Sequence, residues 1–259
     1  MRTILLLISI SYSTLCSAWK ILADAPMPDE AFTQGLDYEN GQFFISSGLY
    51  GKSFLVRQAQ NERDGSVQAL PPSVFAEGLV YLDHRLYLLT WRAGLLLTFN
   101  ADNLMPINQT RYRGEGWGLT HDGDHFVMSD GSDQLQFRRT RDFQLLRTLS
   151  VHHHSKPLSR INELEFARGR IWANVWHDDR IFEIDKQTGA VLATYDFSEL
   201  RSRLQLKDPE AVLNGIAYDS ERDAFWITGK LWPRRYLVQM GRDKADSDQP
   251  SPTPAAHQQ

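Results

Sequence analysis

The chain has 259 residues, 42% hydrophobic, 11% aromatic and 23% charged, enough apolar material for a substantial core, which excludes a largely disordered polymer. Its formal net charge is -4. With no basic block to release counterions from a phosphate backbone, nucleic acid is not an expected partner.

Residues 1–18, MRTILLLISISYSTLCSA, carry one Arg, an apolar run from Ile4 to Ile10 and small residues up to Ala18, the layout of a cleavable signal peptide. The run is too short to span a bilayer, so no membrane contact is expected after cleavage. A lipid attachment at Cys16 is disfavoured by the bulky Leu15 before it. Cys16 is the sole cysteine, so the mature chain is expected to contain no disulfide, thiolate nucleophile or cysteine-held zinc.

Beyond the leader, one motif recurs five times. Phe32-Thr33-Gln34-Gly35-Leu36, Phe75-Ala76-Glu77-Gly78-Leu79, Gly116-Trp117-Gly118-Leu119, Ile161-Asn162-Glu163-Leu164 and Leu213-Asn214-Gly215-Ile216 align at positions 35, 78, 118, 163 and 215. The intervals are 43, 40, 45 and 52 residues, the length of a four-stranded propeller blade. Each copy runs into a short turn, such as Glu39-Asn40-Gly41 or Ala167-Arg168-Gly169, and then an apolar strand, such as Gln42–Ile45 or Arg170–Ala173. A third strand follows, as in the alternating Arg180–Asp185, closed by the turn Asp185–Gly189. The pattern predicts an all-β, five-bladed β-propeller over residues 19–240. A β-sandwich also has regularly spaced strands but does not repeat one motif at blade length. One short helix is expected over Phe197–Leu206 with Ser198 as its N-cap, and the polar, Pro-rich segment 241–259 is expected to be a disordered tail.

Equivalent positions of successive blades converge on one axis. The residues before the aligned position are Gln34, Glu77, Trp117, Asn162 and Asn214, five different side chains where a purely structural repeat would favour one. Farther on, the register brings Gly48, Trp91, Gly131 and Trp176, and in the last blade Gly229 and Lys230. One carboxylate, one lysine, several amides and three indoles thus converge at a funnel mouth. Among aromatic rings Glu77 is desolvated enough for its pKa to move towards neutrality, and a nearby Lys230 would oppose that shift. The tract His152-His153-His154 reads as a solvated loop beside Ser155-Lys156-Pro157, and Asp122, Asp124 and Asp130 as turn residues. Nucleophile-elbow and phosphate-loop motifs are absent from the sequence.

The runs FTQGL, GLYGKS, FAEGL, LTWR, GEGWGLT, SDGS, INELE, IWANVW, LNGIAYD and ITGKLWP together resemble the plant and bacterial type of glutaminyl-peptide cyclotransferase, over roughly residues 30–240. The resemblance implies a substrate pocket on a five-bladed axis lined by Phe32, Gln34, Phe75, Glu77, Trp91, Trp117, Asn162, Trp176 and Lys230. It implies no catalytic metal and no cofactor, and substrates that are peptides or proteins with N-terminal glutamine. Cyclisation requires the α-amine to lose a proton and the departing ammonia to gain one. Glu77 is the expected shuttle, Lys230 and Asn162 the expected donors to the oxyanion or orienters of substrate, and Gln34 the reader of the substrate amide. Trp91, Trp117 and Trp176 would exclude water. An exported, periplasmic monomer is the expected setting. Two other readings stay open on sequence: a metal-dependent lactonase-like hydrolase holding its ion on Glu77, Asn162 and Asn214, and a non-catalytic binding propeller.

Overall fold

The computed structural model describes residues 18–62 and 64–241. The leader with Cys16 and the tail therefore lie outside the described residues, apart from Ala18 and Gly241.

Five four-stranded antiparallel sheets form the blades of a propeller. Blade I comprises Thr33–Glu39, Gln42–Ser47, Phe54–Ala59 and Ser66–Ala69, and blade II Ala76–Leu82, Arg85–Thr90, Leu95–Asn100 and Pro106–Arg111. Blade III comprises Leu119–His121, His125–Met128, Gln134–Arg139 and Leu145–Ser150, and blade IV Ile161–Ala167, Arg170–Val175, Arg180–Ile184 and Val191–Asp196. Blade V takes Leu213–Asp219, Ala224–Gly229 and Arg234–Met240 from the C-terminal end, and its outermost strand is Trp19–Pro26 from the N-terminal end. That strand pairs antiparallel from Trp19 opposite Met240 to Pro26 opposite Arg234, so both ends of the folded chain close the ring in one sheet. The predicted turns join the first two strands of each blade. At Asn40-Gly41 and Arg168-Gly169 both residues have positive φ, as a two-residue hairpin matched to strand twist requires.

Each blade's alternating side chains bury against its neighbours, giving one apolar cluster at each of the five blade interfaces. At the closing interface Trp226 of blade V meets Phe43 of blade I edge-on, with ring centroids 5.2 Å apart. Inner strands are nearly wholly buried while outer strands such as Pro106–Arg111 are largely exposed.

Two local expectations need correction. The helix is confined to Ser198–Arg203, and Phe197 rather than Ser198 occupies the N-cap position. Phe197 is fully buried between blades IV and V, so packing sets where the helix starts, and the Asp196 carboxylate accepts the Ser198 N–H at 2.8 Å. The histidine tract is a tight hairpin: His152–His153 pairs with Lys156–Pro157, and His154 and Ser155 turn with positive φ. His152 and His153 are half-buried.

On the axis, blade IV carries Glu163 where the other blades carry glycine. It is fully buried; one carboxylate oxygen accepts the Leu36 N–H of blade I at 3.4 Å and the other the Ile216 N–H of blade V at 2.8 Å. Burial pushes this carboxyl well above the usual range. The side chain ties three inner strands together. Glu163→Leu strands two buried donors and is expected to cost about 3 kcal/mol, measured by urea unfolding. Glu163→Gln, which keeps one acceptor, should fall between Glu163→Leu and the native chain.

Candidate active site

At one mouth of the axis the inner strands slip register against their neighbours, between Thr33 and Gly35, Ala76 and Leu79, Ile161 and Leu164, and Leu213 and Ile216. An extra residue in one strand re-aims a side chain, and the residues concerned include Gln34, Glu77, Asn162 and Asn214. In blade III the inner strand begins only at Leu119, leaving Trp117 at the mouth, its N–H bonded to the Ser129 carbonyl at 3.0 Å.

Polar side chains on the second strands, or just past the end of that strand in blade III, clamp these bulges from the neighbouring blade. Ser46 donates to the Glu77 carbonyl at 2.5 Å, Ser129 to the Asn162 carbonyl at 2.6 Å, and the Asn174 carboxamide oxygen accepts the Gly215 N–H at 2.8 Å. All three residues are buried and occupy the same repeat position, a signal that was available in the sequence. Glycines make room for the walls. A Cβ on Gly48 would lie 2.6 Å from the Phe75 ring and one on Gly131 2.7 Å from the Trp117 ring.

All nine sequence-predicted residues line one pocket of about 490 Å³: Phe32, Gln34, Phe75, Glu77, Trp91, Trp117, Asn162, Trp176 and Lys230. Glu77 and Lys230 are each 5% exposed, Asn162 2%. Phe75 and Trp91 meet at 5.4 Å between centroids, Trp117 and Trp176 edge-on at 6.0 Å, and the Lys230 ammonium lies 4.9 Å above the Phe32 ring. Gln34 donates to Glu77 at 3.4 Å. Asn214 stands behind the pocket, donating to the Thr33 carbonyl at 2.9 Å. The Asn162 carboxamide oxygen is buried without a partner among the described residues, an acceptor open to a ligand.

Leu49, Arg92, Glu115 and Glu210 also line the pocket and were missed in sequence. Glu115 stands three residues before the aligned Gly118, the repeat position that Phe32 and Phe75 occupy in blades I and II, so the register could have found it; Glu210 lies outside the repeat, in the segment between blades IV and V. The Asp122 carboxylate caps its own turn by accepting the N–H groups of Asp124 and His125 and is paired with Lys186 at 3.2 Å; Asp130 accepts from Ser132.

Burial pushes the Glu77 carboxyl well above its usual range; Lys230 opposes this and Glu115 adds to it. Burial likewise depresses the Lys230 ammonium, against the pull of Glu77 and Glu210. Each group is thereby moved towards the range in which it can exchange a proton near neutral pH.

A closed five-bladed ring with a buried carboxylate and a buried ammonium in an aromatic axial pocket defines a propeller with a candidate acid–base site. Residues 9–240 match the family model of the glutamine cyclotransferases. A glutaminyl-peptide cyclotransferase of Arabidopsis thaliana is 34% identical over 247 residues, 92% of this chain and 76% of the relative. The crystal structure of Myxococcus xanthus glutaminyl cyclase superposes with a TM-score of 0.83 at 37% identity, covering 90% of this chain and all of the other. The chain belongs to the glutamine cyclotransferase family.

Lys230 lowers the proton affinity of Glu77, so Lys230→Met is expected to move the acidic limb of kcat/KM to higher pH. The substrate's own ionisation cancels when both enzymes are profiled on one peptide. An unmoved limb would mean that Glu77 does not set it.

Proposed function

We propose that Glu77 is the proton shuttle with which this glutamine cyclotransferase closes the N-terminal glutamine of peptides and proteins into pyroglutamate. The observation that carries the reading is the buried Glu77 carboxylate in a pocket whose other buried polar lining residues are Gln34, Asn162 and Lys230, with indoles around them.

Chemically, the α-amine nitrogen attacks the γ-carboxamide carbon and closes a five-membered ring. The Glu77 carboxylate takes the proton that the attacking nitrogen sheds. It returns that proton to the amide nitrogen as the carbon–nitrogen bond breaks, so one ammonia leaves and Glu77 ends ionised as it began. Lys230 donates to the oxygen that becomes negative in the tetrahedral intermediate. Asn162, with its free acceptor oxygen, holds a substrate N–H, and Gln34 reads the carboxamide while donating to Glu77. Trp91, Trp117 and Trp176 restrict water and hold the side chain near its attack geometry.

We further infer that the chain acts after export, in the periplasm, as a monomer. The leader-like sequence of residues 1–18 supports export.

The test is ammonia release from a Gln-initiated dipeptide in EDTA, with Glu77→Gln alongside. Release should survive chelation and fall by at least about 100-fold in the variant, the scale of a lost general acid–base. Loss of release in EDTA would favour the metal-dependent reading; no release by the native chain on several Gln-initiated peptides would leave a binding propeller.

A further inference from the structure

Glu115 lies in the segment joining blade II to blade III, between Gly114 and Gly116. One oxygen of its carboxylate accepts the indole N–H of Trp91 at 2.8 Å and that of Trp117 at 3.1 Å; the other accepts from Arg92 Nε at 3.0 Å. Trp91 follows the second strand of blade II, whereas Trp117 precedes the inner strand of blade III. A single carboxylate thus spans the interface between blades and bonds two of the three indole walls. The Glu115 backbone is itself held. Gly116 donates to the Trp91 carbonyl at 3.1 Å, and the buried Tyr112 hydroxyl backs Gly116 while donating to the Thr90 carbonyl at 2.5 Å. The Arg92 guanidinium lies 3.9 Å above the Trp91 ring, closing the outer side.

We propose that Glu115 is a positioning residue for the cyclisation, setting the angle at which Trp91 and Trp117 wall the pocket beside Glu77. The proposal rests on the cyclase reading but concerns a residue to which that reading gives no role. An indole ring free to rotate about its side-chain bonds would admit water and loosen the substrate, whereas a charged acceptor shared by both N–H groups fixes each ring. Burial works against this carboxylate's charge, but the bonds from Trp117, Trp91 and Arg92 outweigh it and hold the group below the usual range. Glu115 therefore stays ionised at working pH, and its charge raises the proton affinity of Glu77.

Two variants separate the bonding role from the charge. Glu115→Gln keeps a carboxamide oxygen able to accept both indoles and removes the charge; Glu115→Ala removes both. Each is measured for kcat and KM on a Gln-initiated dipeptide across pH and for tryptophan emission, with a thermal melt to verify folding. In Glu115→Ala, kcat/KM should fall about 10- to 100-fold, the range expected when reacting groups are misplaced, with emission shifted to the red. In Glu115→Gln, kcat/KM should remain within about threefold of native, emission unchanged and the acidic limb moved to lower pH, because the repelling charge is gone. Glu115→Ala with native emission and kcat/KM within twofold of native overturns the proposal. So does a Glu115→Gln as impaired as Glu115→Ala, an outcome that still decides the matter if Glu115→Ala does not fold. Native activity in the same assay keeps the two readings apart, since emission reports the indoles whether or not ammonia is released.

Discussion

Backbone meets backbone at the axis, and the rest of the molecule follows from that. A Cβ on Gly35 would lie 2.5 Å from the Leu79 amide nitrogen, and one on Gly78 2.5 Å from that of Leu119. No other residue type fits between inner strands so close. With Gly118 equally close to the Asn162 backbone, the inner strands of blades I to IV gather tightly, every repeat's equivalent position comes to one ring, and the bulges turn the preceding side chains into its mouth. Where blade IV breaks the pattern with Glu163, its carboxylate takes up strand N–H groups of blades I and V.

Convergence has an electrostatic consequence. The mouth gathers Glu77 and Lys230 inside a low-dielectric funnel, where each is discouraged from holding its charge and each partly restores that of the other. A buried carboxylate with no cation nearby would stay protonated and could not accept a proton from the amine; one fully paired at the surface would be too weak a base. Glu115 and Glu210 add further carboxylates to the pocket lining, beside the rings of Trp91, Trp117 and Trp176.

Much of this was legible in the chain because a propeller writes its geometry as a period. Aligning five copies was enough to bring Gln34, Glu77, Trp117 and Asn162 to one mouth, and the same register carried Trp91, Trp176 and Lys230 to it. The closing strand Trp19–Pro26 was not legible, because its partner lies at the opposite end of the chain and it carries no copy of the motif. Glu210 escaped because it sits between blades IV and V outside the repeat; Glu115 shares the repeat position of Phe32 and Phe75, but it replaces an aromatic ring with a carboxylate that bonds two indoles. Asn214 shared the register yet does not line the pocket, because its carboxamide is engaged with the Thr33 carbonyl. Around Phe197 and the histidine hairpin, tertiary packing and turn geometry overrode local propensity.

The proposed cyclisation depends on Glu77 carrying the proton from within a buried environment. The most direct measurement is its own titration, followed by carbon-13 NMR of glutamate-labelled enzyme and assigned by loss of the signal in Glu77→Gln. The expected result is a Glu77 pKa well above that of an ordinary glutamate, coincident with the acidic limb of kcat/KM once substrate ionisation is removed. A Glu77 that titrates in the ordinary range would contradict it, as would an activity limb that does not follow its ionisation.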